Sequence, residues 1–169
     1  MSRAHALITH VIRPVSEALG GPHPLLEDVL FSAASLREFD PWHAAEPGTL
    51  GLFGITPELH RQVWDQYLAY RPEQASRVRG YASQHRFLEA PDDELITNTC
   101  YAAAVGISAL QWVQSTWPPV SDDVAGVTRL WAELTSIQGH QKVVRFEELL
   151  SHQLASHSEN SHQQAVLTG

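Results

Sequence analysis

The sequence predicts a single, mainly helical domain. Apolar residues recur at the spacing of a helix face in one segment after another. Gly20-Gly21, Pro22-His23-Pro24, Arg71-Pro72 and Trp117-Pro118-Pro119 punctuate those segments. One stretch, Gly48 to Ile55, breaks the pattern. It is apolar, carries glycine at 48, 51 and 54, and is expected to be short and irregular or β-like.

Each element has its own signal. Ala6, Leu7, Val11, Ile12, Val15 and Leu19 make a first helix, in which Pro14 removes a backbone donor and predicts a kink or a break. Leu25, Leu26, Val29, Leu30, Ala33 and Ala34 form the apolar face of a second, which ends near Leu36 to Phe39. Asp40-Pro41 turns the chain into the Gly-rich hinge. Thr56, Pro57 and Glu58 then supply a cap, a first-position proline and a first-turn acid for a third helix along Leu59, Val63, Trp64, Tyr67 and Leu68.

A shorter helix is expected from Ala75 to Tyr81, after Arg71-Pro72-Glu73. Pro91, Asp92, Asp93 and Glu94 open the most apolar run of the chain, which continues to Trp112 and is predicted to be the buried central helix. Ala102 to Ala104 and Gly106 permit close helix packing there. Ser121, Asp122 and Asp123 cap a helix carrying Val124, Val127, Leu130, Trp131 and Leu134. The last helix is placed at Val143 to Ala155. Residues 1–155 thus form the domain, and the polar stretch 156–169 is expected to be a flexible tail that orders only against a partner.

Composition narrows the function classes. A chain of 169 residues is long enough to bury a substantial core. A formal charge of −8 leaves no basic stripe for nucleic acid. Cys100 is the one cysteine, so no intramolecular disulfide is available. No stretch approaches the ~20 apolar residues of a membrane span, and Met1 to His10 lacks the hydrophobic core of a signal peptide.

The hinge carries the most specific pattern. Gly51-Leu52-Phe53-Gly54-Ile55-Thr56-Pro57, preceded by a helix and followed by a capped one, resembles the active-site stretch of soluble lytic transglycosylases and related bacteriophage lysozyme-like proteins. Their pattern reads Glu-Ser-x-aromatic or aliphatic, a spacer, then Gly-Leu-(Met/Phe/Tyr)-Gln-(Ile/Met)-x-Pro. Tyr101 on the central helix falls on the tyrosine of the family's Ala-Tyr-Asn-Ala-Gly, and Trp64-Asp65-Gln66-Tyr67-Leu68 is similar to a segment of the phage relatives. The resemblance spans about residues 5 to 135 and implies a lysozyme-like fold.

It also implies a cleft lined by Leu36, Gly51, Phe53, Gly54, Ile55 and Tyr101, with three departures from the family. The catalytic Glu falls on Leu36, the Gln on Gly54 and the Asn on Ala102. A leucine cannot protonate a glycosidic oxygen. All three departures fall on positions that handle protons or sugar in the family, which points to a lysozyme-like shell without chemistry.

Glu38 and Glu46 are the acids left to replace Leu36. Glu38 sits two residues further along a helix, a rotation of about 200° that turns it away from the cleft. Glu46, beside Pro47-Gly48, reads as a solvated loop acid. The ten histidines show no His-x-x-x-His or His-Glu-x-x-His spacing, so neither a metal site nor a cofactor is expected. His60 reads as a satisfied helix histidine, and Cys100 as a small buried hydrophobe. Trp42, in a turn, is the candidate for an exposed aromatic at a partner or sugar surface.

Two functions follow from the resemblance. One is a non-catalytic structural component of a phage-type virion (tail, hub or internal protein), partnered by other virion or assembly proteins. It would reside in the virion or, during assembly, in the host cytoplasm. The alternative is a muramidase or lytic transglycosylase acting on peptidoglycan through Glu38 or Glu46. A helical domain of unrelated origin is the plainest reading.

Overall fold

Among the described residues there are ten α-helices, one of them buried at the centre of the fold, with short π- and 3-10-helical turns between some of them. The computed structural model describes residues 2–43, 46–116 and 123–167, and for residues 116 and 158–167 the backbone alone. Among the described residues there is no strand; one isolated bridge pairs Leu50 with Ile55 inside the Gly-rich hinge.

The first helical stretch runs without a break through α1 (Arg3–Leu7), a π-helical turn (Ile8–Ile12) and α2 (Arg13–Ala18). The π turn accommodates Pro14. An extra residue per turn lets the Arg13 N–H bond the Ile8 carbonyl, so the helix widens where the proline ring would meet the preceding turn. The kink expected from the sequence is therefore a local widening. Helix α3 (Pro24–Leu36) follows, buried along most of its length.

After the hinge comes α4 (Pro57–Gln62), capped by the Thr56 hydroxyl, which accepts from the Leu59 N–H at 3.1 Å. A second π turn (Val63–Tyr67) and a 3-10 turn (Leu68–Tyr70) lead to α5 (Pro72–Tyr81), and α6 (Gln84–Glu89) and a 3-10 turn (Pro91–Asp93) follow. The central helix expected from Asp92 onward is divided in two, α7 (Glu94–Thr97) and α8 (Thr99–Thr116). Asn98 makes the break. Its Oδ1 accepts from the Tyr101 N–H at 3.1 Å, and its Nδ2 donates to the Tyr81 carbonyl at 2.7 Å and to Glu94 at 2.9 Å. A short amide that offers the backbone local partners caps a new helix better than it continues an old one.

Helix α8 is the core of the fold, buried without interruption from Tyr101 to Leu110. It packs against α2, α3, α5 and α7. At Gly106 the approach is so close that a Cβ would stand 2.8 Å from Leu30 Cδ2 on α3. The expected stop at Trp117-Pro118-Pro119 and the cap residues Ser121 and Asp122 lie outside the described residues. Asp123 caps α9 (Val124–Leu134), its carboxylate accepting from the Ala125 N–H at 3.1 Å.

The last helix, α10 (His140–Leu167), starts three residues before the expected Val143, and its backbone runs on through 156–167. At the start of that stretch His157 Nδ1 lies 3.3 Å from Asp28 Oδ2. Lys142 meets Glu46 just beyond the C-terminal end of α3, while His157 meets Asp28 near its N-terminal end, so α10 lies antiparallel along α3. Phe146 and Leu150, one turn apart, bury between the two. No helix among the described residues is long and apolar enough to cross a membrane.

Candidate functional site

The hinge is packed into the core. Gly51, Leu52, Phe53, Gly54 and Ile55 are all buried. Gly51 has φ +69° and Gly54 φ +67°, the left-handed region where a side chain is strained. Space is closed at both as well. A Cβ on Gly51 would overlap the Leu95 carbonyl on α7, and a Cβ on Gly54 would overlap the guanidinium of Arg37. The glycines thus let the hinge backbone lie directly on α7 and on the end of α3.

Arg37 is the residue that sequence reasoning does not single out. Its side chain leaves α3 at the C-cap and is completely buried. Nη1 donates to the Ala33 carbonyl at 3.3 Å, while Nε and Nη2 have no hydrogen-bond partner. Burial lowers its pKa to about 10, partly opposed by the charge of Glu46. Arg37 therefore remains a cation at neutral pH, held inside the fold with two donors unmatched.

Glu46 departs from the solvated loop acid expected. Its side chain is 8% exposed and sits 2.6 Å from Lys142 Nζ, and its own carbonyl accepts from the Thr49 hydroxyl at 2.7 Å. The signal for its partner was absent locally, because Lys142 lies 96 positions further along the chain. Glu38 is solvent-exposed, with φ +53°, and Phe39 follows at φ +56°, its ring 5.6 Å from that of Phe31. Leu36 is half-buried and packs at the edge of the core. The two fallback acids are thus separated in kind, one exposed on a strained turn and the other enclosed in an ion pair.

Tyr101 belongs to a second constellation. Its hydroxyl lies 2.6 Å from His60 Nε2 and accepts from Trp64 Nε1 at 2.9 Å. His60 Nδ1 in turn lies 2.8 Å from Asp92 Oδ1. Burial lowers the His60 pKa, against the pull of the hydrogen bond and charge of Asp92. The neutral ring then donates from Nδ1 to Asp92 and accepts the Tyr101 proton at Nε2, a tautomer assigned from this network. Burial raises the Tyr101 pKa as well. The phenol stays protonated, and the chain Asp92–His60–Tyr101–Trp64 is a hydrogen-bonded network whose two central members, Tyr101 and His60, are buried while the Asp92 side chain is 36% exposed. Phe87 covers it, its ring centroid 5.5 Å from that of Trp64 and 5.9 Å from that of Tyr101.

Trp42 is 71% exposed, with its backbone N–H bonded to Asp40 Oδ1 at 2.9 Å. Cys100 is half-buried, its thiol pKa raised by burial. Among the described residues no group of three or more His, Cys, Asp or Glu is placed to hold a metal ion. Comparison with known protein families, characterised proteins and solved structures finds no match.

Proposed function

We propose that the chain is a non-catalytic, lysozyme-like structural component of a phage-type particle. The single observation behind this reading is the Arg37–Gly54 contact. The positions on which the resemblance lays the catalytic Glu and the Gln hold a half-buried leucine and a glycine pressed against a buried guanidinium. An acid catalyst needs a carboxyl that reaches substrate and holds a proton at working pH. Glu46 is enclosed with Lys142, and Glu38 stands on the exposed turn after α3. Neither is among the residues lining the cavity that borders the hinge at Leu52, beside Phe39 and Pro41.

The partners that fit this reading are other virion or assembly proteins, with the exposed Trp42 as a contact candidate. The place of action is the particle or, during assembly, the host cytoplasm. The alternative, a peptidoglycan-cleaving muramidase or lytic transglycosylase, would require Glu46 to leave Lys142 or substrate to reach Glu38. Purified protein added to a suspension of peptidoglycan sacculi separates the two. The proposal expects no loss of turbidity from wild type or from Leu36→Glu, since Gly54 and Ala102 also lack side chains to orient sugar. Clearing by wild type would overturn it.

A further inference from the structure

A cleft lies between α4, the C-terminal part of α8 and α9, bordered by Thr56 directly after the hinge. Its volume is about 410 Å³, within the range of sites that enclose side chains or small ligands. Leu130, Leu134 and Trp112 give it an apolar wall, and Glu58, Gln62 and Glu133 contribute polar groups. Glu58 and Glu133 come from different helices, and both are solvent-exposed. Gln62, one turn on from Glu58, donates to its carboxylate at 3.4 Å. No Lys, Arg or His lines the cleft among the described residues, and neither carboxylate takes part in an ion pair there.

Two unneutralised carboxylates beside an apolar wall are complementary to one kind of side chain. Lysine and arginine carry an aliphatic stem that covers apolar surface and a charged head that stays at the rim. The head can bond a carboxylate. We infer that this cleft docks a basic amphipathic segment of a partner protein, with a lysine or arginine stem on Leu130 and Leu134 and its head between Glu58 and Glu133. The net charge of −8 favours the approach of such a partner, and the cleft sets an apolar wall beside its two carboxylates. This assignment does not depend on the lysozyme-like reading.

The test is a calorimetric titration of the full chain with a short synthetic peptide of alternating lysine and leucine. Spermidine serves as a cation without apolar side chains. Wild type is expected to bind the peptide saturably and spermidine at least about tenfold more weakly. Glu58→Gln with Glu133→Gln should weaken peptide binding by about tenfold or more, as should Leu134→Asn through the apolar wall. Glu73→Gln with Glu89→Gln, two exposed acids away from the cleft, should leave it unchanged. The rim substitutions are at exposed positions, so folding is preserved. Absence of saturable binding, equal loss in the Glu73/Glu89 pair, or spermidine binding as tight as the peptide would each overturn the inference.

Discussion

The guanidinium of Arg37 fills the space that any side chain at residue 54 would need. The glycine and the arginine therefore require one another: a larger residue at 54 has no room, and a smaller one at 37 leaves a void against the hinge.

Gly54→Ala should lower stability by about 2–4 kcal/mol, combining left-handed strain with overpacking. Pairing it with Arg37→Ala should recover the steric part but not the strain. Urea denaturation of the single and double variants measures both. A change below about 0.5 kcal/mol for Gly54→Ala would mean that Arg37 moves aside freely, and the filled hinge would lose its support.

Removal of the Tyr101 hydroxyl should expose the energetics of the second network. Tyr101→Phe keeps the ring but leaves Trp64 Nε1 and His60 Nε2 without their buried partner, at about 1–3 kcal/mol. His60 adds a pH dependence. Its folded pKa lies below 6.5, so its contribution is present above the unfolded value and is lost as pH falls through 6.5 toward the lowered folded pKa. Histidine NMR titration should find the His60 ring neutral below pH 6.5, and His60→Gln should remove this part of the acid sensitivity.

Asp28 should act in the opposite sense. Burial on α3 pushes its pKa up to about 6 from 3.8; Glu27 adds to the rise, and His157 and Arg13 oppose it. A folded state that holds this proton more tightly than the unfolded chain gains stability that is full below 3.8 and lost as pH rises to about 6. Asp28→Asn should therefore match wild type near pH 4 and exceed it at pH 8, by an amount on the order of 1–3 kcal/mol. Denaturation of the pair at both pH values is the measurement. A constant difference would show that Asp28 ionises normally.

Loss of the ammonium that faces Glu46 should be felt through the loop. Lys142→Ala leaves a nearly enclosed carboxylate without this partner, but Lys142 itself is 46% exposed, so the loss is about 1–2 kcal/mol rather than that of a fully buried pair. Thermal unfolding of Lys142→Ala beside Glu46→Gln/Lys142→Ala should show the double variant recovering part of the loss.

These relationships explain which parts of the structure could be read from the sequence. Helix faces such as Leu26, Val29, Leu30 and Ala33, the Thr56 cap and the glycines of the hinge act over three or four residues, so their signals are local. The Asn98 break was hidden because the apolar run continues on both sides of a residue whose effect lies in its side-chain bonds. Arg37 was hidden because an arginine at a helix end usually projects into water. Glu46–Lys142 and His60–Asp92 join positions 96 and 32 residues apart, and no periodicity records such pairs. Residues 156–167 lack an apolar face, yet the backbone stays helical as an extension of the segment that Phe146 and Leu150 anchor.

The non-catalytic reading stands or falls on whether the protein cuts glycan at all. Prolonged incubation with purified sacculi, followed by mass spectrometry of the soluble fraction, is the most direct measurement, with Glu38→Gln and Glu46→Gln run beside wild type. The account predicts no muropeptides above the protein-free control in all three samples. Muropeptides released by wild type and abolished in either variant would show a working acid at that residue, and would contradict it.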